Sequence, residues 1–78
     1  MTPTLCRAAR VLLEWHQPDL AENAGVGLST VVDFEKDRRA VSQEKIDAMR
    51  AALEAAGIEF LNHGRPGVRL IKPTGDGT

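Results

Sequence analysis

The sequence has a single cysteine, Cys6, so one chain cannot form an internal disulfide bond. No apolar run approaches the roughly 20 residues that a membrane-spanning helix needs. The N-terminus lacks a basic segment followed by a long apolar stretch, which is the pattern of a secretory signal. These absences predict a protein of the reducing cytoplasm that has no membrane partner.

An excess of basic residues is also missing. Lys and Arg total 10 against 11 Asp and Glu, for a net charge of −1. A strongly basic domain is the usual electrostatic footprint of nucleic-acid binding. Any attraction to phosphate must therefore come from a local patch rather than from the whole molecule.

The composition is that of one small globular domain. The 78 residues are 42% hydrophobic and 27% charged, as in folded soluble proteins. A chain this short buries only about 60% of its unfolded surface, so its core is thin and its stability modest. We expect a single domain over residues 1–72 and a flexible tail over residues 73–78, which have nothing to bury.

The spacing of apolar residues predicts a first helix over residues 4–15 and a fourth over residues 43–56. Thr2 or Thr4 can cap the first helix, and Ser42 can cap the fourth. The expected buried face of the first helix comprises Leu5, Ala8 or Ala9, Leu12 and Trp15. That of the fourth comprises Ile46, Met49, Leu53 and Ala56.

Two shorter helices are expected in between, over residues 17–24 and 28–36. Pro18 is tolerated only in an opening turn, and Gly25 can end the second helix in a left-handed conformation. Val31 and Phe34 are three residues apart and should point inward. Two short helices joined by a glycine-containing turn have the spacing of a helix-turn-helix.

After Gly57 the hydrophobic period changes to that of short strands. Residues 58–61 and 68–71 flank a segment rich in turn-forming residues, which predicts a β-hairpin. In the simplest register, Phe60 is opposite Val68 and Glu59 is opposite Arg69.

Residues 10–39 resemble the helix-turn-helix of the Cro and lambda-repressor type, the Xre family. Residues 17–21 (Gln-Pro-Asp-Leu-Ala) resemble the opening of the family's second helix, 24–26 (Ala-Gly-Val) its turn and 29–35 its recognition helix. The resemblance covers residues 4–57. It implies a mainly α, four-helix repressor-like domain, to which this chain adds a C-terminal hairpin.

The resemblance also implies an ion pair between Arg10 and Glu35. In the similar repressors, an arginine of the first helix pairs with a glutamate that closes the third. A partly buried pair could fix how the third helix projects, and losing one partner would leave a costly unpaired charge. Alternatively, both are ordinary solvated charges.

Carried over by position, the third helix would enter the major groove of double-stranded DNA. The residues that would then face the bases are Leu28, Ser29, Val32 and Asp33. Leu28 and Val32 could pack on thymine methyl groups, whereas Asp33 could only accept, as from cytosine N4. None of the four is an Arg, Lys, Asn or Gln, and Gly27 replaces the family's usual Ser or Thr cap.

A second set of polar residues would contact the phosphates on either side of that groove: Gln17, Thr30, Lys36, Arg38 and Arg39. Gln17 and Thr30 are included by resemblance. The three basic residues could instead be a solvated loop, since acidic residues are interspersed among them. The patch is weakly basic, which predicts modest and strongly salt-dependent affinity.

An enzyme is not expected, because no nucleophile–base set, carboxylate pair or phosphate-binding glycine loop is present. His16 and His63 have no metal-ligand spacing with Cys6, so neither a metal nor another cofactor is expected. Cys6 has no activating base beside it and is interpreted as a small helix residue.

The hairpin suggests a homodimer, because exposed strand edges are templates for further pairing. The residues expected at the interface are Ile58, Phe60, Val68 and Leu70. The alternative is a hairpin folded back on its own helices.

The sequence thus predicts a DNA-binding transcriptional regulator, most simply a dimeric repressor. The rival function is a helix-turn-helix protein-interaction module, an antiactivator or antitoxin, that binds a regulatory protein partner and has weak or no DNA binding.

Overall fold

A computed structural model describes residues 1–61 and 64–71. The elements, in chain order, are α1 (Pro3–Leu12), α2 (Gln17–Ala24), α3 (Leu28–Glu35), α4 (Gln43–Ala55), β1 (Ile58–Leu61) and β2 (Gly67–Leu70). Four helices followed by a two-stranded antiparallel sheet confirm the predicted fold class. The predicted tail, 73–78, lies outside the described residues. No helix in the described part of the chain is long and apolar enough to cross a membrane.

The first helix is shorter than predicted. Thr2 caps α1 by accepting a hydrogen bond from the backbone N–H of Leu5 at 3.1 Å. The helix ends at Leu12 rather than at residue 15, because the chain turns at Glu14, whose φ of 58° is left-handed. Trp15 therefore lies beyond the helix and packs, partly buried, against the core.

The buried face of α1 matches the prediction at Ala9 and differs from it at Leu12. Cys6 and Ala9 are fully buried, whereas Leu12 is 42% exposed. Residues 6, 9 and 13 form a second stripe at helical spacing, one position along from the predicted one, and Leu13 packs against the core. The two stripes share Ala9, and the large Leu5 and Leu12 made the predicted stripe look more hydrophobic than the one that contains Cys6.

The next two helices meet at the glycine-containing turn. α2 spans the predicted residues, and Gly25 ends it with a φ of 71°. The side chain of Asp19 accepts a hydrogen bond from the backbone N–H of His16 at 2.8 Å, which secures the first turn. α3 ends at Glu35, one residue earlier than predicted, with Lys36 as its C-cap.

The hairpin follows α4 and folds back on the helices. Ser42 caps α4, whose last helical residue is Ala55 rather than residue 56. Glu59 pairs with Arg69 and Phe60 with Val68, as predicted, although β2 lies at 67–70 rather than 68–71. The backbone N–H of Ile71 donates to the carbonyl of Gly57 at 2.6 Å, which closes the base of the hairpin.

The core combines residues from all four helices and from the hairpin. Its fully buried large side chains include Leu20, Val31, Met49 and Leu53. Ile58 is only 3% exposed, and Phe60 and Val68 pack partly buried against the same cluster. This is the arrangement in which the hairpin completes the core of its own chain. Ile58 therefore offers no surface to a second copy, because its side chain is needed inside.

Candidate functional site

A buried carboxylate lies under the C-terminal end of α3. Glu35 is 1% exposed, and its carboxylate accepts hydrogen bonds from Arg10 Nε at 2.9 Å and Arg10 Nη2 at 3.0 Å. Gln17 Nε2 donates to it at 3.1 Å and Cys6 Sγ at 3.4 Å. Arg10 and Glu35 thus form a two-pronged ion pair inside the molecule rather than two solvated charges.

The surroundings of Glu35 shift two pKa values. Burial by itself would raise the pKa of Glu35, but the hydrogen bonds from Arg10 and Gln17 and the charge of Arg10 hold that pKa below its ordinary value. Burial, with the nearby charge of Glu35, raises the pKa of the Cys6 thiol to about 12. Cys6 is therefore a protonated donor at neutral pH, without the thiolate character that a nucleophile needs.

Arg7 extends this network, and the sequence interpretation did not include it. Its Nη1 donates to the backbone carbonyl of Glu35, at the C-terminus of α3. Arg10 Nη1 also donates to the carbonyl of Trp15 at 3.0 Å. A cation at a helix C-terminus is favourable. Arg7 and Arg10 are three residues apart and therefore share one face of α1. That spacing is the sequence signal that could have indicated the contact of Arg7 with α3.

Two of the residues expected at phosphates are less exposed than the others. The amide nitrogen of Gln17 is engaged with Glu35, and Gln17 is half-buried. Thr30 is only 4% exposed. A phosphate contact by Gln17 or Thr30 stays a prediction.

The outer face of α3 carries the residues expected to face DNA bases. Leu28 is 46% exposed and Ser29 is exposed, whereas Val32 and Asp33 are half-buried. Positions 28, 29, 32 and 33 share one side of the helix by their spacing. The opposite side carries Val31 and Phe34, which lie in the core as predicted.

The basic residues after α3 are exposed and lie close to its last turn. Asp37 is left-handed, with a φ of 54°, and the backbone N–H of Arg38 donates to the carbonyl of Asp33 at 2.9 Å. The chain therefore reverses after Lys36. This reversal brings Arg39 to Asp33, where Nε and Oδ2 are 2.7 Å apart.

Metal ligands do not cluster in the part of the chain that the structure describes: it contains no group of three or more His, Cys, Asp or Glu that could hold an ion. His63 lies outside the described residues. A shallow apolar groove of about 650 Å³ lies between α1 and β2, lined by residues that include Ala8, Val11, Leu12 and Val68.

Comparison with known families connects this geometry to a group of proteins. A family model described as helix-turn-helix matches residues 7–60, more than two thirds of the chain. The match includes the α2–turn–α3 unit and the two ion-paired residues, Arg10 and Glu35. The comparison with curated proteins gives no match.

Proposed function

The chain belongs to the helix-turn-helix family of Xre, Cro and lambda-repressor-like domains, a family of DNA-binding regulatory domains, and on that premise we propose that it is a sequence-specific transcriptional repressor that acts as a dimer. The observation that carries the proposal is the outer face of α3. It presents Leu28 and Ser29 to solvent, and the exposed Lys36 and Arg38 flank its end. A helix of this kind fits the major groove with its first turns on the base edges.

The proposed contacts divide into two classes. Ser29 can donate to or accept from several bases, and Leu28 and Val32 can pack on thymine methyl groups. Lys36 and Arg38 are exposed cations suited to the phosphates on one side of the groove. Because the whole chain has a net charge of −1, affinity should be modest and should fall steeply with salt.

The test is a fluorescence-anisotropy titration of random-sequence and selected duplex DNA at two salt concentrations. We expect the wild type to prefer the selected duplex. Lys36→Ala and Arg38→Ala should each weaken binding to both duplexes and reduce the salt slope by about 0.9. Ser29→Ala should change the preferred sequence.

Arg69→Ala is the matched control, because it removes an exposed arginine that pairs with Glu59 on the hairpin. It should leave affinity and salt slope unchanged. Absence of wild-type binding even at low salt would contradict the proposed function, as would equal weakening by Arg69→Ala.

Dimerisation is proposed because repressors of this kind read paired half-sites about one helical turn apart. Apolar residues exposed on and near the α1–β2 side support it: Val11 at 64%, Leu12 at 42%, Leu70 at 36% and Ile71 at 47%. Light scattering over a range of concentrations should show a dimer that Val11→Glu dissociates. Ala51→Glu, at an exposed position of α4, should not do so. A concentration-independent monomer would remove this part of the proposal.

A protein-interaction module is the second candidate function. The exposed Leu28 favours it, since an apolar residue at the start of α3 could contact a protein as readily as a thymine. A domain of this class, such as an antiactivator or antitoxin, should pass unretained through a column of nonspecific DNA at low salt. Retention that salt reverses would instead favour the DNA-binding regulator.

A further inference from the structure

The ion pair between Asp33 and Arg39 connects the outer face of α3 to the loop that follows. Arg39 Nε lies 2.7 Å from Asp33 Oδ2, with the side chain of Arg39 58% exposed and that of Asp33 18% exposed. Residues six apart do not meet by helical spacing. They meet here because the chain reverses at the left-handed Asp37.

The atoms used in this pair leave a defined edge of the guanidinium available. Asp33 accepts from Nε, and no hydrogen bond within the described residues engages Nη1 or Nη2 of Arg39. Two parallel N–H donors of an arginine match the O6 and N7 acceptors of guanine in the major groove. A carboxylate bound to the same guanidinium restricts its orientation, because the hydrogen bond is charge-assisted and the fork is planar.

A phosphate contact is a poorer use of the same arginine. The carboxylate of Asp33 offsets the charge of Arg39 and would repel a nearby phosphate. The O6 and N7 acceptors of guanine carry only partial charges, so a contact with them depends more on the geometry of the two donors than on the net charge around the arginine. The other residues on the outer face of α3, Leu28, Ser29 and Val32, include no side chain that can make such a two-pronged contact.

We propose that Arg39 is the guanine-reading residue of this protein and that Asp33 is a positioning residue that holds it against the face of α3. The proposal rests on the proposed DNA-binding function and assigns part of its specificity to the loop after α3. It also gives Asp33 a different partner from the cytosine that the sequence suggested.

The experiment first selects preferred sequences from a randomised duplex library. A guanine should be selected at one position of each half-site. At that position, 7-deazaguanine, which lacks N7, should weaken wild-type binding by about 5- to 150-fold. Inosine, which keeps O6 and N7 and lacks only the minor-groove amine, is the control and should bind nearly as well as guanine.

Variants then distinguish the proposed guanine contact of Arg39 from the proposed positioning role of Asp33. Arg39→Ala should bind guanine and 7-deazaguanine equally. Asp33→Ala should lose most of the preference while gaining nonspecific affinity, because Arg39 becomes a free cation. Asp33→Asn should restore part of the preference through its amide oxygen. Asp37→Asn also removes one negative charge, in the loop just after α3, and Asn tolerates a left-handed backbone, so this variant should keep the preference.

The outcomes distinguish the two proposals. No DNA binding by the wild type would overturn both. Sequence-specific binding that selects no guanine, or a guanine preference that Arg39→Ala retains, would overturn the role of Arg39 alone. If Asp33→Ala gained affinity with no loss of preference, Asp33 would be only a repulsive charge, and its positioning role would be wrong.

Discussion

Glu35 lies where α1, α2 and α3 meet, and its carboxylate accepts hydrogen bonds from residues of the first two helices. A buried carboxylate is costly unless it is paired and fully hydrogen-bonded. Arg10 supplies the charge and two of the hydrogen bonds, and Gln17 supplies another. The same residues therefore hold the C-terminus of α3 in place and set the direction in which its outer face projects.

The stability of the domain should depend strongly on Arg10. Arg10→Met removes the charge but keeps an apolar side chain of similar length, and it leaves Glu35 buried without its ionic partner. We expect the free energy of unfolding, measured by urea denaturation, to fall by about 3–5 kcal/mol. The double variant Arg10→Met/Glu35→Leu should recover much of that loss. A single-variant cost below about 1 kcal/mol would contradict the buried pair.

Acid should weaken the domain through the same carboxylate. The pKa of Glu35 is lowered in the folded protein, so its contribution is fully present above the ordinary glutamate pKa of about 4.3. That contribution is lost as pH falls through the lower, folded-state pKa. Urea unfolding at a series of pH values should show a decline below about pH 5. Glu35→Gln should be less stable than the wild type at pH 7, and its free energy of unfolding should fall less steeply as the pH is lowered. Parallel stability–pH profiles of the two proteins would contradict the assignment of the acid sensitivity to Glu35.

At the scale of elements, α3 has the weakest N-terminal cap of the four helices. Its N-cap is Gly27, which provides no side-chain hydrogen bond. The backbone there has an ordinary φ of −72°, and an added Cβ would lie 3.9 Å from the nearest side-chain atoms, those of Ser29 and Thr30. The position therefore has both the conformation and the space for a capping hydroxyl.

Gly27→Ser should stabilise the protein by a few tenths of a kcal/mol. Thermal unfolding should then shift upward by about 1–2 °C for a domain of this size. Gly25→Ser is the matched control, because Gly25 has a φ of 71° that a residue with a side chain adopts only under strain. Gly25→Ser should lower the midpoint, and a loss of stability in Gly27→Ser would show that the cap geometry is wrong.

The accuracy of the sequence predictions also varies by element. α2 was predicted to the residue, because Pro18 and Gly25 mark its ends by backbone chemistry alone. α1 was predicted three residues too long at its C-terminus, because nothing local to Glu14 indicates its left-handed backbone. Its buried face was predicted correctly at Ala9 but not at Cys6 or Leu12, because two stripes of similar spacing compete and only the surrounding elements select between them.

At the scale of the whole molecule, the hairpin is an integral part of the core. Gly57 connects α4 to β1 with a φ of 113°, and its carbonyl binds the N–H of Ile71 at the other end of the hairpin. Phe60 of β1 lies under the guanidinium of Arg50 of α4, 5.0 Å from the ring centre. Separating the hairpin would therefore expose Ile58 and open the helical core.

Gly57→Ala should loosen this junction. An added Cβ would lie 2.8 Å from the carbonyl oxygen of Ile71, and the positive φ adds strain. We expect a loss of about 1–3 kcal/mol in the free energy of unfolding. Gly64→Ala is the control, since Gly64 also has a positive φ, 83°, but no atom within 4 Å of the added Cβ. Equal losses in the two variants would mean that the contact with Ile71 contributes nothing.

The sequence by itself determined the helix-turn-helix unit, the caps and the pairing of Glu59 with Arg69, since these follow from backbone preferences and periodicity over a few residues. Its resemblance to a known family implied the fold class. The tertiary structure decided which residues are buried and which distant residues make contact: the fold-back of Ile58, the burial of Thr30, the hydrogen bond from Gln17 to Glu35 and the contact of Asp33 with Arg39. Burial depends on residues distant in the chain. The contact between Cys6 and Glu35 spans 29 positions, and no local pattern encodes it.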